Sequence, residues 1–116
     1  MGQAYRDLQV WHKAMDLAAA VYEASKCFPR EELYGLTSQL RRSAISISSN
    51  IAEGSGRNSS GEFKQFLGIA RGSNYEVQTQ LELASRLGLA GAQIVQPALS
   101  LSQEVGKMIY ALMESL

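Results

Sequence analysis

Apolar side chains recur along this chain at spacings of three and four, in four separate runs. That spacing places each run on one face of an α-helix. The first run, about residues 8–26, carries Leu8, Trp11, Met15, Ala18, Tyr22 and Ser25. Asp7 is placed to cap its start, and Pro29 to stop it, because a proline disfavours helical geometry at Phe28. The second run, about 31–54, carries Leu33, Leu36, Leu40, Ala44, Ile47 and Ile51. Glu31 and Glu32 suit the positive end of a helix dipole, and Gly54-Ser55-Gly56 breaks the run.

The third run, about 60–88, carries Phe63, Phe66, Leu67, Ala70, Asn74, Val77, Leu81, Ala84 and Leu87. Ser59 and Glu62 have the spacing of a capping box, and Gly88 marks the end. The fourth, about 92–115, carries Ile94, Ala98, Leu101, Val105, Met108 and Leu112. Pro97 either opens this helix or kinks it. No strand-like alternation competes with these runs. Short connections between amphipathic helices predict an all-α, antiparallel, up-down-up-down four-helix bundle, with residues 1–116 as one domain.

Composition leaves room for this fold. A chain of 116 residues buries roughly 60–70% of its unfolded surface, enough for one core without metal or disulfides. Formal net charge is zero, so any nucleic-acid contact has to use a local patch instead of an overall basic excess. The lone cysteine, Cys27, forms no intrachain disulfide. No run approaches the ~18 apolar residues of a membrane span, and residues 1–7 lack the apolar run of a signal peptide. The chain reads as cytoplasmic and without a membrane partner.

Candidate chemistry is sparse. With His12 as the single histidine, a di-iron site of Glu-x-x-His pairs is excluded within one subunit, and His12 with Cys27 is too few ligands for zinc. His12 therefore reads as a solvated or partly packed helix residue and Cys27 as a small packed or boundary residue. No serine sits in a Gly-x-Ser-x-Gly elbow. The stretch 54–61 has a superficial likeness to a phosphate loop, but the preceding strand and the Gly-Lys-Ser/Thr ending are absent. A helix N-terminus beside Arg57 still suits an anion, while a plain helix–helix turn accounts for the same residues. No catalytic residue, cofactor, metal or small-molecule substrate is expected.

The second helix carries a polar stripe, Gln39, Arg42, Ser46, Asn50 and Glu53, at spacings of three, four, four and three. The third offers Arg71, Ser73 and Glu76. Together they predict a charge-assisted network between the two helices or at an interface; the plainer alternative is a solvated face. Serine and asparagine are poor choices for exposed helix interiors, which favours the network. Gly68 and Gly72, one turn apart, each cost about 1 kcal/mol relative to alanine, a cost that close approach of another backbone, within the bundle or between subunits, would offset. Arg41, Arg42, Arg57, Lys64 and Arg71 form the candidate nucleic-acid patch, although Glu53, Glu62 and Glu76 lie among them and mutual salt bridges explain the pattern equally well.

Several stretches carry a family resemblance. They are Asp7-Leu8 with Trp11-His12-Lys13-Ala14, Phe28-Pro29-Arg30-Glu31-Glu32-Leu33-Tyr34-Gly35-Leu36, and Gln39-Leu40-Arg41-Arg42-Ser43-Ala44 with Ser46. Asn50-Ile51-Ala52-Glu53-Gly54, Phe66-Leu67 and Ile69-Ala70-Arg71-Gly72-Ser73 with Glu76 complete the set. In this order, over about residues 5–90, the chain resembles the bacterial four-helix bundle family encoded in intervening sequences of large-subunit (23S) rRNA genes. That family is similar to the accessory variability protein of diversity-generating retroelements, a homopentameric ring that works with a reverse transcriptase and RNA. The resemblance implies a homopentamer and an RNA or reverse-transcriptase-like partner.

The expectation is therefore a non-catalytic oligomeric scaffold or RNA-associated accessory protein. The alternative is a protein–protein interaction module without nucleic-acid binding. An enzyme built on Arg42, Asn50, Glu53 and Glu76 is the least supported reading, because bundle active sites normally need ligands or a cofactor that this chain does not supply.

Overall fold

Residues 5–7 make a single 3₁₀ turn, and the extended backbone of Leu8 then leads into helix α1, Gln9–Ser25. This computed structural model describes residues 4–116. Three further helices follow: α2, Leu36–Ser55; α3, Ser60–Arg86; and α4, Ala92–Ser115. Each helix packs against two neighbours in the order α1, α2, α3, α4 and back to α1, and α2 with α3 make the most extensive contact. The result is an elongated all-α four-helix bundle measuring 46 × 23 × 19 Å. No helix among the described residues is long and apolar enough to cross a membrane.

The helix ends show how local sequence sets the boundaries. Asp7 lies in the 3₁₀ turn and does not cap α1, whose N-cap position is Leu8. A second 3₁₀ turn takes up Arg30–Glu32, so α2 starts at Leu36, five residues later than the acidic pair suggests. Glu32 still serves α2, because its Oε1 accepts from the Leu36 N–H at 3.4 Å. Ser59 caps α3 by accepting from the Glu62 N–H at 3.2 Å. At the far end of α3, Gly88 has φ +73°. The Leu89 N–H bonds the Ala84 carbonyl at 2.9 Å and the Gly88 N–H bonds that of Ser85 at 3.1 Å. This pair of bonds is a Schellman ending, for which a glycine is favoured. Pro97 neither opens nor ends α4, since it is the sixth helical residue. The carbonyl it leaves without a helical donor is that of exposed Gln93, within reach of water.

One shared core fills the bundle, built around Leu17, Leu40, Ile47, Ile51, Leu67 and Ile109, all fully buried. The expected faces of α2 and α3 match it closely, apart from Leu33 and Leu87, which are exposed. In α1 the buried residues are Val10, Ala14, Leu17, Val21 and Ala24 with the expected Ser25, and apart from Ser25 this stripe lies one residue round from the expected one. Met15 and Tyr22 are exposed, while Leu8, Trp11 and Ala18 pack at the core's edge. α1 is apolar over more than half its circumference, so two overlapping stripes satisfy the same period. The compact aliphatic stripe is the one that faces α2 and α4. In α4 the core takes Val95, Ser102 and Ile109 along with the expected Ala98 and Val105. Ile94 is exposed, and Leu101, Met108 and Leu112 are half-buried.

Two glycines mark tight packing. A Cβ on Gly54 would lie 2.6 Å from the Phe66 Cβ, so the end of α2 and the start of α3 approach as closely as glycine permits. A Cβ on Gly106 would lie 3.1 Å from the Asn74 Nδ2. Gly68 and Gly72 behave differently: a Cβ there meets nothing within 4 Å. They are not needed for packing inside the bundle.

Candidate nucleic-acid interface

The polar stripe on α2 meets α3 at its middle. The Ser46 and Ser73 hydroxyls are 2.9 Å apart, and the Asn50 amide donates to the Ser46 carbonyl at 2.8 Å and its hydroxyl at 3.0 Å. The link is neutral, and the charge-assisted network expected between the two helices does not form within the chain. Gln39, Arg42 and Glu76 are exposed and make no side-chain hydrogen bond or ion pair among the described residues. Glu53 pairs instead with Arg57 one turn on, at 2.8 Å. Arg71 and Ser73 are two residues apart, about 200° round the helix, so they face different neighbours. Serine is tolerated in α2 because several hydroxyls bond back to carbonyls three residues earlier, as Ser48 does to Ile45 and Ser55 to Ala52.

The five candidate phosphate contacts do not form one patch. Arg41 turns onto α1, donating from Nε to the Ser25 hydroxyl at 2.8 Å and lying over the Tyr22 ring at 4.6 Å. Arg42 is exposed beside it. Beyond the far end of α2, in the turn that follows it, Arg57 is held by Glu53 and by the Phe66 ring, 4.7 Å from its guanidinium. Those contacts occupy the cation that was to accompany an anion at the start of α3. Lys64 and Arg71 are seven residues apart, so they share one flank of α3, the flank facing α4.

That flank forms an open groove of about 390 Å³ between α3 and α4. The Arg71 guanidinium lies 5.7 Å from the centroids of both the Tyr75 and the Tyr110 ring. Lys107, Gln78 and Gln103 complete the walls, with Gly106 among them. No carboxylate lines the groove. Beneath it, Asn74 donates to the Ser102 carbonyl at 2.9 Å and accepts from its hydroxyl at 2.7 Å. Both residues are essentially without exposure, at 1% and 0%. This satisfied buried pair fixes α3 against α4, and so fixes the register of the walls above it. Sequence reasoning missed Tyr75, Gln78, Gln103, Lys107 and Tyr110. Their signal is the spacing of four and three in Arg71, Tyr75, Gln78 and again in Gln103, Lys107, Tyr110, which marks two facing helix flanks.

A second groove, of about 290 Å³, lies beside α1 and α2, where Tyr22, Leu33, Tyr34 and Ile45 surround Arg41 and Arg42. His12 bonds the Arg6 carbonyl through Nε2 at 2.7 Å, and its ring meets Trp11 edge-on, so it ties the first turn to α1. Cys27 is exposed in the turn after α1, not packed. At Glu23 a hydrogen bond and the charge of Lys26 hold the carboxyl below its ordinary range. No group of three or more potential metal-binding side chains occurs among the described residues.

Comparison with known proteins supplies the remaining observations. The model of a family described as "23S rRNA-intervening sequence protein" matches residues 6–111. A similar solved structure is a protein of unknown function from the S23 ribosomal protein family of Bacteroides thetaiotaomicron, determined at 1.70 Å resolution. It shares 25% identity and a TM-score of 0.82, covering 90% of this chain and 97% of that one. No curated protein matches.

Proposed function

Because this chain belongs to the 23S rRNA-intervening sequence protein family, we propose that it is a non-catalytic, RNA-associated accessory protein working as a homo-oligomer in the cytoplasm. The observation that carries this reading is the pair of facing flanks that bear Lys64 and Arg71 on α3 and Lys107 on α4. The groove at its centre holds two of these cations and no carboxylate, which gives a neutral chain a local surface for phosphate. Of the residues first expected to touch RNA, Arg42, Lys64 and Arg71 remain in this role. Arg41 and Arg57 are already engaged within the bundle. A pentamer is the assembly suggested by the resemblance to the accessory variability protein, and a reverse-transcriptase-like enzyme is the partner that resemblance would add. Gly68 and Gly72, open on the outer face of α3 beside exposed Ile69, are the surface on which another copy can approach closely.

The test is anisotropy of a labelled structured RNA across salt. Three phosphate contacts predict a log–log salt slope of about −2 to −3. Absence of binding even at low salt overturns the RNA half of the reading. Tyr34, 93% exposed beside Leu33 and Ile45, favours a second reading, a protein-interaction module that uses the α1–α2 groove. Under that reading a specific protein co-purifies without nucleic acid, and Tyr34→Ala releases it.

A further inference from the structure

We propose that the groove between α3 and α4 is a stacking site for unpaired bases of single-stranded RNA. This rests on the RNA-associated reading and adds to it which form of RNA is bound and by which side chains. Tyr75 and Tyr110 are each 53% exposed, one on either wall, so both side chains are open to solvent beside the Arg71 guanidinium that lies over their rings. Tyrosines buried for packing do not leave half their surface in solvent. The Arg71 guanidinium is shared between the two rings and holds both walls of the groove in position. Its charge and that of Lys107 attract phosphate, with no carboxylate lining the groove to oppose them.

Gln78 and Gln103 supply amide groups able to donate to and accept from base edges. Gly106, among the lining residues, adds no side chain to the groove, and its backbone packs closely over Asn74, whose Nδ2 would lie 3.1 Å from a Cβ there. Aromatic faces beside paired cations are the means by which proteins hold single strands, because every base offers a π-face and a strand offers regular phosphates. A duplex keeps its bases stacked on one another and offers these tyrosines no free face. An apolar helix from another protein fits poorly, because seating it would bury both cations without partners.

The experiment measures binding of the full chain to a labelled single-stranded RNA of about 12 nucleotides and to a duplex of the same sequence at low salt. Circular dichroism and light scattering run alongside. The single strand is expected to bind more tightly. Tyr75→Ala and Tyr110→Ala are each expected to weaken it about tenfold, with helicity and solution mass unchanged. Tyr75→Phe and Tyr110→Phe retain the stacking face and are expected to keep most of the affinity. If both alanine variants bind the single strand as well as the parent, stacking in this groove is refuted, while the broader RNA reading stands. A fall in solution mass in the alanine variants also refutes it, because the groove is then a contact between copies of this chain. Failure of the parent protein to bind any RNA removes both proposals together.

Discussion

Replacing Asn74 with alanine removes an amide that makes two buried hydrogen bonds across the α3–α4 contact. Each bond contributes about 1 kcal/mol net, and the Ser102 hydroxyl left behind loses its acceptor in a site with no exposure. The vacated volume adds a cavity cost. The expected destabilisation is about 2–4 kcal/mol, which in a chain of this length lowers the melting temperature by roughly 10 °C or more. Ser102→Ala removes only the hydroxyl bond, since the Ser102 carbonyl still accepts from Asn74, and should cost about 1–2 kcal/mol. The two changes share the bond between hydroxyl and amide oxygen. The double variant should therefore lose about 1 kcal/mol less than the sum of the single variants. Urea unfolding followed at 222 nm measures all three. If Asn74→Ala lies within about 0.5 kcal/mol of the parent and the cycle shows no coupling, the buried pair does not hold this contact. In that case the pair does not set the groove's register either.

Two other substitutions test separate parts of the account. Gly54→Ala forces a Cβ to within 2.6 Å of the Phe66 Cβ, which is fixed to the backbone of α3. Urea unfolding should show a loss of about 1–3 kcal/mol from overpacking, and unchanged stability would mean that the α2–α3 approach is looser than described. Gly72→Leu places a side chain in space that is open in the single chain. Thermal unfolding should show an intact bundle while light scattering shows a smaller assembly, and an unchanged mass would remove this face as the contact between copies.

The sequence made some parts of this molecule easier to read than others, for physical reasons. The core faces of α2 and α3 were legible because each carries one narrow apolar stripe bordered by polar residues. α1 has apolar side chains on most of its surface, so period alone did not fix which stripe turns inward, and the expectation fell one residue away. A lone serine reads as surface, so periodicity favours Leu101 over Ser102 as the inward residue. Ser102 is buried only because Asn74, 28 positions earlier, satisfies its hydroxyl. The candidate interface divided in the same way. Arg42, Lys64 and Arg71 were identified as basic residues, but spacing along one helix did not show that Arg57 would be taken up by Glu53 or Arg41 by Ser25 and Tyr22. The aromatic half of the groove lies on α3 and α4 at once. Only the pairing of those two helices brings Tyr75 and Tyr110 to the same guanidinium.

Ultraviolet crosslinking of the intact protein to single-stranded RNA, with the modified residues located by mass spectrometry, tests the central claim most directly. The account predicts adducts on Tyr75 and Tyr110, lost at high salt. Adducts confined to the α1–α2 side around Tyr34, or none at any salt, would contradict it.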